Sequence, residues 1–277
     1  MEPQTLITEI AERLTQVDGV SAVVLGGSRG THTPESDIDL GIYYDPKQPL
    51  DLPALDRIAA EFDDRHCPGI VTRLGEWGPW INGGGWLTIG SQHVDFLYRD
   101  LSRVSGVIDA CHAGQVEMAY VPGHPHGFLS AIYMGEVDVC RLLWESGGTL
   151  SALKSRTDPY PVALKQAMVS MFRGEADFSL SNAKKSIERG DVTYAAGCCF
   201  RSVACIFQVL FALNEVYWLN EKGALAMAET FAIRPERLRA RVEQVFARLA
   251  PESEAIRAAL AVLEGIAGDT QILAGSR

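Results

Sequence analysis

The sequence contains no C-x-x-C pair. Its six cysteines (Cys67, Cys111, Cys140, Cys198, Cys199 and Cys205) follow no regular spacing. Three of them share one apolar segment, where a free thiol behaves as a small hydrophobe. That pattern argues against a zinc site or a disulfide framework. A secretion signal is not evident either. The opening MEPQTLITEIAERL carries three glutamates and an amphipathic period, which predicts a helix rather than a basic end followed by an apolar run. The longest apolar segment, around Val203–Leu213, is interrupted by Gln208 and is too short to span a bilayer. A cytoplasmic protein with no membrane partner is expected. Basic residues are scarce in the first half: residues 1–125 hold 18 Asp+Glu against 8 Lys+Arg, whereas residues 126–277 hold 17 of each. A nucleic-acid groove needs a basic surface to neutralise phosphates, so no nucleic-acid partner is expected. An acidic half suits divalent metals or a cationic substrate, and it equally serves plain solubility.

At 277 residues, 47% hydrophobic and 22% charged, the composition is globular and leaves room for one large domain or two ordinary ones. The first half alternates element types. Helices are predicted over Leu6–Gln16 and Leu52–Phe62. Strands are predicted over Val20–Leu25, Ile38–Tyr44, Ile70–Arg73, Trp86–Ile89 and His93–Tyr98. Trp77, Trp80 and Trp86 surround the Gly83-Gly84-Gly85 turn, where they either line a pocket or cover the sheet. After GHPHGF (123–128) the pattern turns helical: Phe128–Glu145, Pro161–Arg189, Val192–Asn214, Glu221–Phe231, Glu236–Leu249 and Glu252–Leu273. Pro161 and Pro235 stand at expected helix starts, where the missing N–H is harmless. The expectation is an α/β domain with a mixed sheet over residues 1–125 and an all-α helical bundle over residues 126–277.

One stretch of the α/β half, LGGSRGTHTPESDIDLGIYY (25–44), carries the chemistry. Asp37 and Asp39 stand two apart on a strand and leave the same face, while Ile38 and Leu40 enter the core. Two carboxylates held that close repel unless a cation sits between them. Magnesium fits, because it takes oxygen ligands and shares its sphere with substrate phosphates. The preceding strand ends at Gly26-Gly27-Ser28, where backbone N–H groups can approach a phosphate and a helix start would add its dipole. Asp95, in HVDFLYR, is the candidate third acid. Val94 and Phe96 face the core and Asp95 the opposite side, so a three-carboxylate cluster able to hold two ions is expected.

An apolar-Gly-Gly-Ser stretch, nine residues to Asp37, the run Asp37-Ile38-Asp39 and a third acid on a later strand together resemble the signature of the DNA polymerase beta-like nucleotidyltransferase superfamily. The resemblance makes the first domain a nucleotidyltransferase domain. It implies transfer of a nucleoside monophosphate, AMP from ATP, to a hydroxyl of a small molecule, with pyrophosphate released. Gly26, Gly27 and Ser28 would hold the triphosphate, Asp37 and Asp39 would bind Mg2+, and Asp95 would be a third metal ligand or the general base. The segment YAAGCCFRSVACIFQVLFALNEVYWLNEKGALAMAE is similar to the helix–turn–Lys–helix layout of the streptomycin/spectinomycin adenylyltransferases. There the helical domain closes the cleft and a lysine reaches the nucleotide phosphates; Lys222 is the matching position. The accompanying arginine has no counterpart: Gln208 lies nearest, and Arg201 falls about two turns early. This resemblance and the acidic first half point to a cationic acceptor such as an aminoglycoside. The alternatives are a nucleotidyltransferase modifying a protein or tRNA in a toxin–antitoxin-type system, or a non-catalytic nucleotide-binding relative.

Several residues keep two readings. Arg201 contacts a phosphate or pairs with a glutamate of the bundle, since an unpaired guanidinium in an apolar helix is costly. Arg29 touches a phosphate or faces solvent. His124 and His126 form a metal site or, the better reading, a hydrogen-bonded hinge. Glu136 acts at the cleft as a base or amine ligand, or is simply exposed.

Overall fold

The computed structural model describes residues 2–27 and 37–275. In chain order its elements are α1 (Pro3–Leu14), β1 (Val20–Leu25), β2 (Ile38–Tyr44), α2 (Leu52–Phe62), α3 (Gly78–Ile81), β3 (Gly84–Ile89), β4 (Gln92–Asp100) and α4 (Leu101–His112). There follow β5 (Met118–Ala119), β6 (Phe128–Leu129), α5 (Ile132–Val139), β7 (Arg141–Glu145), α6 (Thr149–Lys154) and α7 (Val162–Ala183). A 3-10 turn (Lys184–Arg189), α8 (Val192–Leu213), α9 (Ala224–Ala228), α10 (Leu238–Arg248) and α11 (Ser253–Gly275) complete the chain. An α/β region with a mixed sheet is followed by a mostly helical region, as expected.

The chain divides into two compact units, Met1–Asp109 with Tyr133–Pro159, and Ala110–Ile132 with Tyr160–Arg277. This division differs from the single cut expected at residue 125. The chain returns to the sheet after residue 132, because Arg141–Glu145 pairs with β1.

In the first unit five strands run in the order β3-β4-β2-β1-β7. Only the β2–β4 pair is parallel; the other three are antiparallel. Strand alternation divides the residues cleanly. Val23, Leu25, Ile38, Leu40, Ile42, Val94, Phe96 and Leu87 enter a core built with Leu6, Ile7, Ile10, Ala11 and Leu14 of α1 and Leu55, Ile58 and Ala59 of α2. Those positions recur at helical spacing, which puts one stripe of each helix on the sheet. α2 starts where Asp51 Oδ1 accepts from the Ala54 N–H at 2.9 Å, an N-cap typically worth about 1 kcal/mol. The opposite sheet face carries Tyr43 and Arg99, both buried. Arg99 is 4% exposed and donates to Glu136 of α5 through Nε at 2.7 Å and Nη2 at 2.8 Å. The Tyr133 hydroxyl donates to the Trp80 carbonyl, and the Arg103 guanidinium stacks on the Trp80 ring at 4.2 Å.

Two expected elements of this region take other forms. Phe128–Glu145 is not one helix but β6, α5 and β7. RLLWE is apolar enough for either state, and the open edge of β1 claims it. Ile70–Arg73 is not a strand beyond one bridge between Val71 and Gly85. The N–H groups of Gly69, Ile70 and Val71 donate instead to the Asp56 carboxylate, at 2.8, 2.8 and 3.1 Å.

In the second unit α7 packs on α8, and α11 on both. The inward positions of α7 are Leu164, Met168, Phe172, Ala176, Leu180 and Ala183. Small residues let the backbones approach: the Ser202 hydroxyl of α8 donates to the Ala176 carbonyl at 3.0 Å. α8 extends well beyond the apolar run read from the sequence. By length and composition it could cross a membrane, and 72% of its most apolar window is buried within the chain, as in a core helix.

Candidate active site

The glycine pair and the acids meet because of how β1 and β2 end. Leu25 pairs with Leu40, so the chain leaves β1 beside Asp39. The Gly26 N–H donates to the Asp39 carbonyl at 2.7 Å. A Cβ on Gly26 would stand 3.2 Å from the Asp39 Cβ, closer than side chains comfortably pack. Gly27 follows with φ +85°, a left-handed conformation that glycine adopts without strain. Ser28 and Arg29 lie outside the described residues.

Asp95 joins from the neighbouring strand. In the parallel register of β2 and β4, Ile38 stands beside Val94 and Asp39 beside Asp95. Val94 and Ile38 are fully buried on the core side, which sends Asp37, Asp39 and Asp95 to the other face. Asp37 is exposed, and Asp39 and Asp95 are half-buried. The Asp95 carboxyl is pushed up from the ordinary 3.8 to about 6 by burial, then by the charges of Asp39 and Asp37, with His93 working the other way. Like charges on one patch raise the pKa of the most enclosed member.

The donor set consists of hard carboxylate oxygens, the class that magnesium takes. Among the described residues, no three His, Cys, Asp or Glu side chains close into a metal cage. The acids fit a cation held by one or two carboxylates with water and phosphate completing its sphere, rather than an all-protein site.

Lys222 belongs to the helical unit, exposed, with its backbone N–H on Asn220 Oδ1 at 2.8 Å. Arg201 pairs with Glu175 of α7, the bundle-glutamate reading. Glu136 is taken by Arg99 rather than left exposed. The His124 ring stands 3.5 Å from Glu221 Oε2, and the His126 backbone N–H donates to Glu221 Oε1 at 2.7 Å. The His126 ring lies against Phe172, its pKa lowered by burial and by the Arg201 charge.

Sequence reasoning passed over one neighbour of Asp95 and did not connect another, Trp86, to it. His93 lies two residues before it on the same strand face and is exposed. Trp86 lies directly across from it in the β3–β4 pairing. The alternation in HVDF could have found His93; Trp86 required the register.

Residues 7–76 match the family model described as Nucleotidyltransferase domain. That span holds the greater part of α1, all of β1, the glycine pair, Asp37, Asp39 and α2, and stops short of Asp95. No curated protein matches the chain. Among solved structures, a nucleotidyltransferase-like protein from Exiguobacterium sibiricum aligns at 12% identity and TM-score 0.46, covering 99% of this chain and 76% of that one. The domain match supports nucleotidyl transfer as the class of reaction.

Proposed function

We propose that the protein transfers a nucleoside monophosphate, AMP from ATP, to a hydroxyl of a small cationic molecule of aminoglycoside type. The observation that carries this reading is the register that sets Asp95 beside Asp39 with its carboxyl raised to about 6. At that value the group is largely ionised at pH 7 and still basic enough to accept a hydroxyl proton as the oxygen attacks. The new bond joins that oxygen to the α-phosphorus; the bond that breaks frees pyrophosphate. Of the residues expected to hold the triphosphate, Gly27 has a backbone N–H to offer it, the Gly26 N–H is given to the Asp39 carbonyl, and Ser28 enters as a phosphate contact on the strength of the sequence resemblance alone. Asp37 and Asp39 would hold magnesium, which when bound neutralises phosphate charge. Lys222 enters as a phosphate contact on the strength of the sequence resemblance alone.

The test incubates the chain and magnesium with α-labelled nucleoside triphosphates, each against streptomycin, spectinomycin, tRNA and the protein itself. The expected result is labelled small molecule and free pyrophosphate, with ATP the preferred donor. Label on tRNA or on protein would replace this reading with the macromolecular alternative. Nucleotide binding without transfer would leave a sensor.

A further inference from the structure

The acids are flanked on one side by a solvent-facing aromatic pair. Trp86 is 64% exposed, the most exposed tryptophan on the chain's described surface, and it sits opposite Asp95 in the antiparallel pairing of β3 with β4. Residues so paired share a sheet face, with Cβ atoms about 4.5–5.5 Å apart. Trp77 stacks on Trp86 with ring centroids 4.4 Å apart and planes 18° from parallel. A Cβ on Gly84 would approach Trp77 Cζ3 at 3.1 Å and Phe96 O at 1.7 Å. Trp77 therefore lies over Gly84 and supports Trp86 from that side, leaving the side toward Thr88 and His93 open.

The pair is held in place before any ligand arrives. The Trp77 N–H donates to the Asn82 carbonyl at 3.2 Å. Asn82 accepts from the Gly75 N–H at 2.8 Å and donates to the Tyr44 hydroxyl at 2.9 Å. The Gly84 N–H donates to Thr72 Oγ1 at 2.9 Å. An aromatic surface fixed in this way loses little freedom on binding.

Sheet order gives the pair its place in the reaction. The glycines follow β1, Asp39 lies on β2 with Asp37 just before it, Asp95 on β4 and Trp86 on β3, in that spatial sequence. Glycines and tryptophan are thus three strand spacings apart, about 14 Å. Phosphates at the glycines leave the tryptophan side to the molecule that offers its hydroxyl to Asp95. A ring face beside three acids suits a positive charge twice over, through the aromatic quadrupole and through the carboxylates.

We propose that Trp86, backed by Trp77, is the acceptor-binding surface, and that it selects a hydroxylated ring carrying an ammonium or guanidinium group. The assignment rests on the nucleotidyl-transfer reading above. The test titrates 4-aminocyclohexanol, and its neutral counterpart cyclohexane-1,4-diol, into the full chain holding magnesium and a non-hydrolysable ATP analogue. Binding is read from the indole N–H signals by NMR and, for the ATP analogue, by calorimetry. The amine should shift the Trp86 signal and bind at least tenfold more tightly than the diol. Trp86→Ala should weaken the amine about tenfold or more, Trp86→Phe should recover part of that, and both should bind the ATP analogue within twofold of wild type. The exposed position of Trp86 makes these variants compatible with folding, which a thermal melt verifies. Equal amine affinity in wild type and Trp86→Ala, or no amine binding, overturns the proposal. Loss of ATP-analogue affinity in Trp86→Ala, with amine binding kept, also overturns it by giving the ring to the nucleobase. Failure of the transfer reading shows separately, as an ATP analogue that does not bind wild type in the presence of magnesium.

Discussion

Replacing Asp95 with asparagine removes a charge at nearly constant shape, and its effect on stability follows from the site. The folded protein holds the Asp95 proton up to about pH 6, against an ordinary value of 3.8. A folded value above the unfolded one means that folding takes up a proton between the two. The linked stabilisation is complete below about pH 4 and is lost as the pH rises through about 6. At about 1.4 kcal/mol per pH unit the full displacement would be worth about 3 kcal/mol. The carboxyl is only half-buried, and solvent screening reduces the effect to about 1 kcal/mol. For a unit of this size that is a fall of roughly 2–4 °C in melting temperature across the window. Calorimetric scans in chelator, at steps from pH 4 to 7.5, should show this fall in wild type. Asp95→Asn should show a flatter profile and melt higher than wild type at pH 7. Asp39→Ala removes the nearest like charge and should move the wild-type inflection downward. Magnesium should raise the melting temperature of wild type more than that of either variant, while nucleotidyl transfer should be lost in both. Parallel pH profiles in wild type and Asp95→Asn would refute the account of charge crowding at β2 and β4.

Other substitutions probe separate parts. Gly27→Val puts a branched side chain at φ +85° and on the approach to the backbone N–H of the loop. Calorimetry with a non-hydrolysable ATP analogue should show strongly weakened binding, and wild-type affinity would move the phosphates elsewhere. Lys222→Ala should lower nucleotide affinity about ten- to a hundredfold, the worth of one charge-assisted contact, with Lys222→Arg recovering part; both within twofold of wild type would remove Lys222 from the site. Glu136→Ala strands the buried Arg99 guanidinium, and urea melts should register a loss of about 3–5 kcal/mol. The double variant Arg99→Met with Glu136→Leu should recover much of it, and an equal loss in single and double variants would contradict an ion-pair origin.

Local patterns in the sequence foretold local structure well. The observed bounds of β1, β2 and α2 are those read from apolar periodicity, because each element has one face that must be buried and a clear stop signal. Asp95 was legible for the same reason, as the outward residue between Val94 and Phe96. Pairing was not legible. Nothing in the local sequence says that β4 runs parallel to β2 with Asp39 level with Asp95, or that Trp86 lies across from Asp95. RLLWE reads as the end of a helix until the edge of β1 is known to need a partner. Ile70–Arg73 has the apolar content of a strand, but the Asp56 carboxylate, more than a dozen residues away, captures its amides. Arg99 carries no signal in the sequence and Glu136 reads there as a cleft group or an exposed one; their ion pair joins residues 37 positions apart.

The late return of β7 to the sheet has a consequence for synthesis. As the chain emerges from the ribosome, β1 can pair with β2 early, but its other edge stays open until residues 141–145 have been made. Over that interval an apolar strand, VSAVVL, presents unpaired N–H and C=O groups, the template on which nascent chains associate. A fragment ending near residue 125 would keep that edge open permanently, even though it holds all three acids. Fragments should therefore remain soluble only when they extend past Glu145, and chaperone dependence should peak for chains stalled just before it.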